Sequence, residues 1–354
     1  MNLKLISTAV VGFGVAALIG PCSSLSPSSL VSTGVSAAIA SPALVDALNK
    51  CEASSKAEVQ IAEERTVGGA LAVSFVSSAG GLALKPYTTD TNALLDASKI
   101  KIPSTPIAEL NRYVTVVGKL VAAQSSRPDL PWTFGVLESP DVNAFSTPGG
   151  YVLVSRGLLA HLDNEAQLAG ILGHEIAHIT QRDHVRAYQR RKEDVCKTVA
   201  QLHFAQDSHA AQNLIPVPSE LVGPLWALME AMNSHGGALD LDNADGPVLK
   251  YLLNGFAETF LSSGFARDQE FTADRIGLEL AMRAGYQGGE FMNVMAKLPA
   301  GAGLFAKHPE PKERSAKLAE ALDALKHDPF ESTIVVSAIA VVPHPRELKV
   351  ASGK

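Results

Sequence analysis

The sequence predicts an α+β protein that is mainly α-helical and has a few short strands. Apolar residues recur at helical spacing between Leu110 and Val121, and again between Leu168 and Ile179. Two segments between these helices, "WTFGVLES" and "YVLVSRGLL", have the β-branched residues typical of strands, with clear alternation in the second. A chain of 354 residues with 46% hydrophobic and 19% charged residues is also large and apolar enough to form a substantial core.

Local signals place the individual elements. A polar, helix-like segment covers Ser54 to Gly69, and the helix that contains Leu110 ends before the segment from Pro128 to Pro131. The two strands flank the turn-rich segment "SPDVNAFSTPGG". Asp163 is the expected N-cap residue of the next helix, because its carboxylate can accept hydrogen bonds from the first turn. Further helices are expected at about 248–262, 267–284, 289–298 and 311–326.

Charge and cysteine content exclude some functional classes. The formal net charge is −6 and the Lys and Arg residues are scattered, so no nucleic-acid partner is expected. Three cysteines at irregular spacing form neither a disulfide framework nor a cysteine-rich zinc site. A single disulfide is compatible with an oxidising compartment.

The N-terminal segment is typical of an exported protein. Lys4 precedes an apolar run from Leu5 to Ile19, and a stretch rich in small residues follows as far as Ala40. We therefore expect export to a bacterial periplasm or cell envelope. Two alternatives stay open: Cys22 as a lipidated residue, and the whole segment as an uncleaved membrane anchor that associates the protein with the membrane.

The stretch "ILGHEIAHIT" contains the strongest candidate for a functional site. His174 and His178 are four residues apart on a predicted helix, so their rings lie on one face and can bind one metal ion. Glu175 can reach a water on that ion. The surrounding residues are apolar, and buried imidazoles without partners would be costly. This pattern favours a hydrolytic metal centre.

A catalytic zinc site needs a third protein ligand. Glu270, in "FARDQEFTADRIG", is the best candidate, and Asp274 lies one turn further along the same helix face. Asp274 can accept the outer N–H of a ligand histidine and fix its tautomer.

These motifs resemble zinc metallopeptidase family forty-eight. The similarity runs in the family's order from about Glu63 to Leu318, through "AEERTVGG", "NAFSTPGGYVLVSRGLL", "EAQLAGILGHEIAHITQRDH", "EFTADRIG" and "KHPEPKERSAKL". The resemblance implies that His174, His178 and Glu270 bind one zinc ion per chain, that Glu175 is the catalytic base, and that Asp274 orients a ligand. It also implies a zincin-like domain whose small mixed sheet lines the active-site cleft.

The resemblance adds three further residues. It implies a place near the metal for His308, either stabilising the transition state or acting as a removable fourth ligand. Arg314 resembles a family arginine that braces the same loop. Asn143 belongs to a strand-like edge beside the cleft, to which a peptide can bind, or it only shapes the turn. Where relatives often have an Arg-His pair, this chain has Asp183 followed by His184, which we expect to be a surface residue.

The expected organisation has three parts: a targeting segment and tether at 1–45, a catalytic domain at 46–330, and a tail at 331–354. Within the catalytic domain, residues 181–264 form a helical insertion and a candidate lid. The expected function is zinc-dependent cleavage of unfolded or misfolded exported proteins or peptides in quality control. Two alternatives stay open: a chaperone-like binding protein with latent protease activity, and a purely structural zinc domain. Processing of prenylated proteins is disfavoured, since at most one membrane span is present.

Overall fold

The protein is described by a computed structural model that covers residues 42–83, 106–204, 217–237, 264–298 and 311–327, and seven positions between 247 and 257. These residues are mainly helical and include one small sheet, which confirms the predicted class. The helices are α1 (Pro42–Ser55), α2 (Ile61–Ser78), α3 (Pro106–Ala122), α4 (Arg156–His161), α5 (Glu165–Thr180), α6 (Asp183–Phe204), α7 (Ser219–Ser234), α8 (Arg267–Arg283), α9 (Gly288–Lys297) and α10 (Pro311–His327), and the strands are β1 (Thr133–Leu137), β2 (Ala144–Thr147) and β3 (Tyr151–Ser155).

The sheet is mixed, as predicted, and has the strand order β1-β3-β2. The central strand β3 is parallel to β1 and antiparallel to β2, so Val152 is opposite Phe134 on one side and Ser146 on the other. Gly149 and Gly150 connect β2 to β3 with φ angles of 77° and 96°, which favour glycine. Strand β2 lies within the segment whose local sequence predicted a turn, directly after Asn143, where the family resemblance implied a strand-like edge.

The second predicted strand is shorter than expected, because helix α4 begins at Arg156. Ser155 ends β3 and caps α4: its hydroxyl oxygen accepts a hydrogen bond from the backbone N–H of Leu158. The prediction of a strand through "RGLL" was wrong, since a short apolar run is compatible with either a strand or a buried helix.

The motif "AEERTVGG" lies in helix α2, and its residues hold the β2–β3 turn in place. Buried Glu64 accepts hydrogen bonds from Arg127 at 2.8 Å and from the backbone N–H of Gly149 at 3.1 Å. A Cβ atom at Gly68 would lie 1.7 Å from the carbonyl oxygen of Pro148, so only glycine permits this approach. The edge strand β2 is thus fixed from the side of α2.

Helix α5 runs through the centre of the core, and all of its residues from Ala166 to Ile179 are buried. Its N-cap is Asn164, whose side chain accepts a hydrogen bond from the backbone N–H of Gln167 at 3.0 Å. The prediction of Asp163 as the N-cap was wrong by one residue. Asp163 instead forms an ion pair with Lys297.

Helices α5 and α8 cross in backbone contact. A Cβ atom at Gly173 would lie 2.6 Å from the carbonyl oxygen of Gly277, and one at Gly277 would lie 2.6 Å from the backbone nitrogen of His174. Any larger residue at either position would push the two helices apart. This close crossing brings Glu270, which lies two turns before Gly277, to the histidine face of α5.

A second hydrophobic cluster joins α1, α2, α6 and α7, and includes Leu71, Tyr188 and Met229. A buried disulfide between Cys51 and Cys196 links α1 to α6, with the two Cα atoms 5.6 Å apart. This is the single disulfide that the cysteine content allowed.

Loss of this disulfide is expected to destabilise the fold. The bond closes a loop across 145 residues of sequence. Cys51→Ser should therefore lower the free energy of unfolding by about 2–5 kcal/mol. The measurement is thermal or urea unfolding with and without a reductant. The reductant should lower the midpoint of the parent protein and leave that of Cys51→Ser unchanged; equal midpoints for the two proteins without reductant would contradict the prediction.

Among the helices that the structure describes, none is long and apolar enough to cross a membrane. The predictions for residues 1–41, including the apolar run and Cys22, lie outside the described residues.

Candidate metal centre

Three buried side chains from α5 and α8 converge on one point. His174 and His178 project from successive turns of α5, and their Nε2 atoms are 3.2 Å apart. Oε2 of Glu270 lies 3.5 Å from Nε2 of His174, and Oε1 lies 3.7 Å from Nε2 of His178. At most 1% of each residue's surface is exposed. The sequence had predicted these three residues as one ligand set.

The spacing of these donor atoms fits a metal ion of the size of zinc. One donor atom from each residue lies within 4.8 Å of the other two. Tetrahedral zinc binds nitrogen and oxygen at about 2.0–2.2 Å, which places two ligand atoms about 3.3–3.6 Å apart. The two Nε2 atoms are 3.2 Å apart, and the distances of 3.5 and 3.7 Å from them to the two Glu270 oxygens are close to that range. Two imidazoles and one carboxylate are also a donor set that zinc favours.

Burial and neighbouring charges act differently on the two imidazoles. Burial and the nearby Arg314 guanidinium lower the pKa of His174, which favours the neutral ring. Burial would also lower the pKa of His178, but the hydrogen bond to Asp183 and the carboxylates of Glu270 and Glu175 outweigh it and raise this pKa. A bound cation would oppose protonation of both rings.

Asp274 accepts a hydrogen bond from Nδ1 of His174 at 2.9 Å, as the sequence predicted. Arg314 donates to the same carboxylate twice, through Nε at 2.8 Å and through Nη2 at 2.6 Å. Burial would raise the pKa of Asp274, but Arg314 and His174 hold it well below the usual range. Arg314 is itself 2% exposed, so its guanidinium neutralises a buried carboxylate. The loop that Arg314 is expected to brace lies outside the described residues.

Glu175 lies beside the convergence point but is held by the sheet. Its Oε2 accepts a hydrogen bond of 2.7 Å from the hydroxyl of Ser146 on the edge strand β2. Both side chains are buried. Asn143 precedes β2, and its backbone N–H donates to the Ser155 hydroxyl while its carbonyl accepts from the Ser155 backbone. These contacts fix the start of the strand that carries Ser146.

Asp183 also contacts a candidate ligand, although it was not predicted as a site residue. Oδ2 of Asp183 accepts a hydrogen bond from Nδ1 of His178 at 2.9 Å. The signal was present, because a ligand histidine needs an acceptor for its second nitrogen and Asp183 lies only five residues after His178. The contact could not be predicted without also predicting the sharp turn at Arg182, where φ is 57°.

The expectation that His184 is a surface residue was wrong. It is 5% exposed, and its ring lies 6.1 Å from the ring of His178 and 4.8 Å from that of Phe265. Burial lowers the pKa of His184 to about 3, with a further contribution from His178. The turn at Arg182 is the reason, because it directs α6 back against α5.

His308 lies outside the described residues, so its predicted place near the metal stays a prediction.

Two histidines four residues apart on a helix, with a glutamate after the first and a third ligand from another helix, form the kind of site that metallopeptidases use. The chain belongs to Peptidase family M48, whose family model matches residues 108–322, more than half of the sequence. The family predicted from the motifs is thereby confirmed. The motif "AEERTVGG" precedes the matched range.

Curated proteins of two kinds are similar to this chain. The "Beta-barrel assembly-enhancing protease" of Yersinia pestis is 28% identical over 201 residues, which cover 57% of this chain and 35% of that protein. The "Mitochondrial metalloendopeptidase OMA1" of Arabidopsis thaliana is 28% identical over 209 residues, covering 57% and 34%. The protein of the same name from Schizosaccharomyces pombe is 29% identical over 215 residues, covering 59% and 52%. The similarity therefore spans between a third and a half of these relatives.

Proposed function

We propose that the chain is a zinc-dependent metalloendopeptidase that cleaves unfolded or misfolded proteins of the cell envelope. The observation that carries this proposal is the convergence of His174, His178 and Glu270 on one point. Glu175 directly follows His174 on α5. Membership of a peptidase family supports the reaction class.

Each residue has a proposed role. His174, His178 and Glu270 hold one zinc ion per chain. A zinc ion held by these residues would lower the pKa of the attacking water to about 7 and would polarise the peptide carbonyl. Glu175 accepts the proton of the attacking water and passes it to the leaving amine. Asp274 holds His174 in the tautomer whose Nε2 lone pair faces the ion, and Arg314 keeps Asp274 ionised.

The edge strand β2 supports the proposed substrate class. Among the residues that the structure describes, β2 pairs with one strand, β3, and it carries Ser146 beside the base Glu175. An extended peptide can add to such an edge through main-chain hydrogen bonds. Folded domains rarely offer an extended, unpaired segment, so unfolded chains are the expected substrates. In this role Asn143 acts indirectly, by fixing the start of β2.

Export to the periplasm or cell envelope belongs to the same proposal. Support comes from the signal-like N-terminus and from the Cys51–Cys196 disulfide, which is typical of an oxidising compartment. Residues 181–264 are the proposed lid, and His308 the proposed additional group at the metal. Deleting part of 216–247 should increase the basal cleavage rate if the lid covers the cleft.

The proposal is tested by casein cleavage. The purified protein should cleave casein, lose activity when a chelator removes the metal, and regain it when zinc is added back. Absence of cleavage under all three conditions, together with suppression of aggregation of an unfolded protein, would favour the chaperone-like alternative.

Ser146→Ala is expected to lower kcat with little change in KM. The substitution removes the 2.7 Å hydrogen bond that holds the Glu175 carboxylate. A hydrogen bond to a charged group contributes about 1.5–3 kcal/mol, so kcat should fall about 10-fold or more. Steady-state kinetics on a fluorogenic peptide measure the effect, and Ser146→Thr, which keeps the hydroxyl, is the matched control. An unchanged kcat in Ser146→Ala would show that the contact does not position the base.

A further inference from the structure

The geometry points to Asp183 as a second positioning carboxylate of the metal site, linking the ligand His178 to the helix that carries the ligand Glu270. This inference rests on the proposed zinc site. It goes beyond the expected role of Asp274, which supports only His174.

Asp183 is well placed to orient His178. Only 2% of the residue is exposed, and its Oδ2 accepts the Nδ1–H of His178 at 2.9 Å. A neutral histidine that donates through Nδ1 has its lone pair on Nε2, and Nε2 of His178 is the atom that faces His174 and Glu270. The ring of Phe265 stacks on His178 with centroids 4.2 Å apart, so the imidazole is held along its edge and across its face.

The second carboxylate oxygen of Asp183 contacts α8, the helix that carries Glu270. Oδ1 accepts a hydrogen bond of 2.7 Å from Nε2 of Gln269 and another from Arg186. Oε1 of Gln269 in turn accepts the backbone N–H of Ala266 at 3.0 Å, at the start of α8. The Gln269 amide can therefore present only its NH2 group to Asp183. Gln269 immediately precedes Glu270, so the path from His178 through Asp183 to Gln269 ends next to the third ligand.

The start of α6 favours this role. Asp183 is the first residue of α6, where the unpaired N–H groups and the helix dipole stabilise a negative charge. The turn at Arg182 brings that end of the helix against His178. Each histidine ligand thus has its own buried carboxylate, Asp274 for His174 and Asp183 for His178.

Zinc affinity tests this inference without reference to proteolysis. Asp183→Asn keeps the shape of the side chain but has only one acceptor oxygen, so it cannot accept from both His178 and Gln269. We expect zinc affinity, measured by competition with a chromogenic chelator, to fall about 10–100-fold. The visible d–d bands of the cobalt(II)-substituted protein should shift as well. Asp163→Asn, a matched exchange at the surface ion pair with Lys297, should change neither quantity.

A second substitution provides a rescue. In Gln269→Glu alone, two carboxylates face each other, and zinc affinity should fall. In the double variant Asp183→Asn with Gln269→Glu, the asparagine amide can donate to Glu while its oxygen accepts from His178. The double variant should therefore bind zinc more tightly than either single variant and recover the parental cobalt bands. A purely structural role for Asp183 gives no reason for that recovery.

The outcomes separate this inference from the proposed function. If the parent binds zinc but Asp183→Asn binds it within about twofold, or if the double variant binds no more tightly than the tighter-binding single variant, the role of Asp183 is refuted and the zinc site stands. If Asp183→Asn does not fold, the zinc affinity of Gln269→Glu is the test. Parental zinc affinity in that variant refutes the proposed link from Asp183 to the helix that carries Glu270. If the parent itself binds no zinc, both proposals fail.

Discussion

Glu175→Gln should reduce peptide cleavage by about 10²–10⁴-fold, because a positioned general base contributes a factor of that size. Glutamine has nearly the same shape as glutamate and retains an oxygen that can accept the hydrogen bond from Ser146. It cannot accept the proton of the attacking water. The three proposed ligands are unchanged, so zinc content should stay at the parental value. The measurement is the initial rate of casein or peptide hydrolysis, with zinc content determined on the same samples.

The matched control is Glu165→Gln, on the first turn of the same helix, where the carboxylate accepts a hydrogen bond from Tyr286. That variant should retain cleavage, because Glu165 lies at the far end of α5 from the two histidines. Parental cleavage by Glu175→Gln would show that another group acts as the base. Equal suppression of aggregation by the parent and Glu175→Gln, without cleavage by either, would favour the binding alternative.

Arg314→Met should have the largest effect on stability. Arg314 and Asp274 form a buried ion pair in which each residue is at most 2% exposed. Removing the guanidinium leaves the Asp274 carboxylate buried without its counter-charge, which costs about 3–5 kcal/mol in comparable cases. Urea unfolding of the metal-free protein measures the loss. Zinc affinity should fall as well, since Asp274 orients His174.

Two variants give this measurement its reference. Arg275→Met removes an exposed arginine of α8, the helix that also carries Asp274. Arg275 pairs with Glu279 at the surface, so its loss should change the free energy of unfolding by no more than about 1 kcal/mol. The double variant Arg314→Met with Asp274→Asn should be more stable than Arg314→Met alone, because the buried charge is gone. An unfolding midpoint of Arg314→Met equal to that of Arg275→Met would contradict the assigned role of the pair.

The sequence predicted the helical part of the fold well. Helices α3, α5, α8, α9 and α10 lie close to their expected positions, since each has an apolar face with a period of 3.6 residues. It predicted the sheet less well. Strand β2 has only four residues and is followed by "PGG", so its local sequence is that of a turn, and only pairing with β3 makes it a strand. Helix α4 was missed because its first four residues, "RGLL", directly follow β3 and were assigned to the same strand.

The candidate site was predictable where its residues share a helix or a motif. Glu175 directly follows His174, His178 lies four residues after His174, and Asp274 lies four residues after Glu270. These spacings, together with the family resemblance, predicted all five residues. Ser146, Asp183 and Gln269 were missed, because their contacts arise only when β2, α6 and α8 pack around α5. The buried position of His184 depends on the left-handed backbone of Arg182, which a non-glycine residue rarely adopts and sequence does not indicate.

X-ray absorption at the zinc edge, on protein loaded with one equivalent of zinc, tests most directly whether His174, His178 and Glu270 share a single ion. We predict a first shell of nitrogen and oxygen at about 2.0–2.2 Å, with outer-shell scattering from two imidazoles that decreases to one in His178→Ala. A shell that contains sulfur, or a spectrum unchanged by His178→Ala, would place the metal elsewhere and contradict the peptidase assignment of this site.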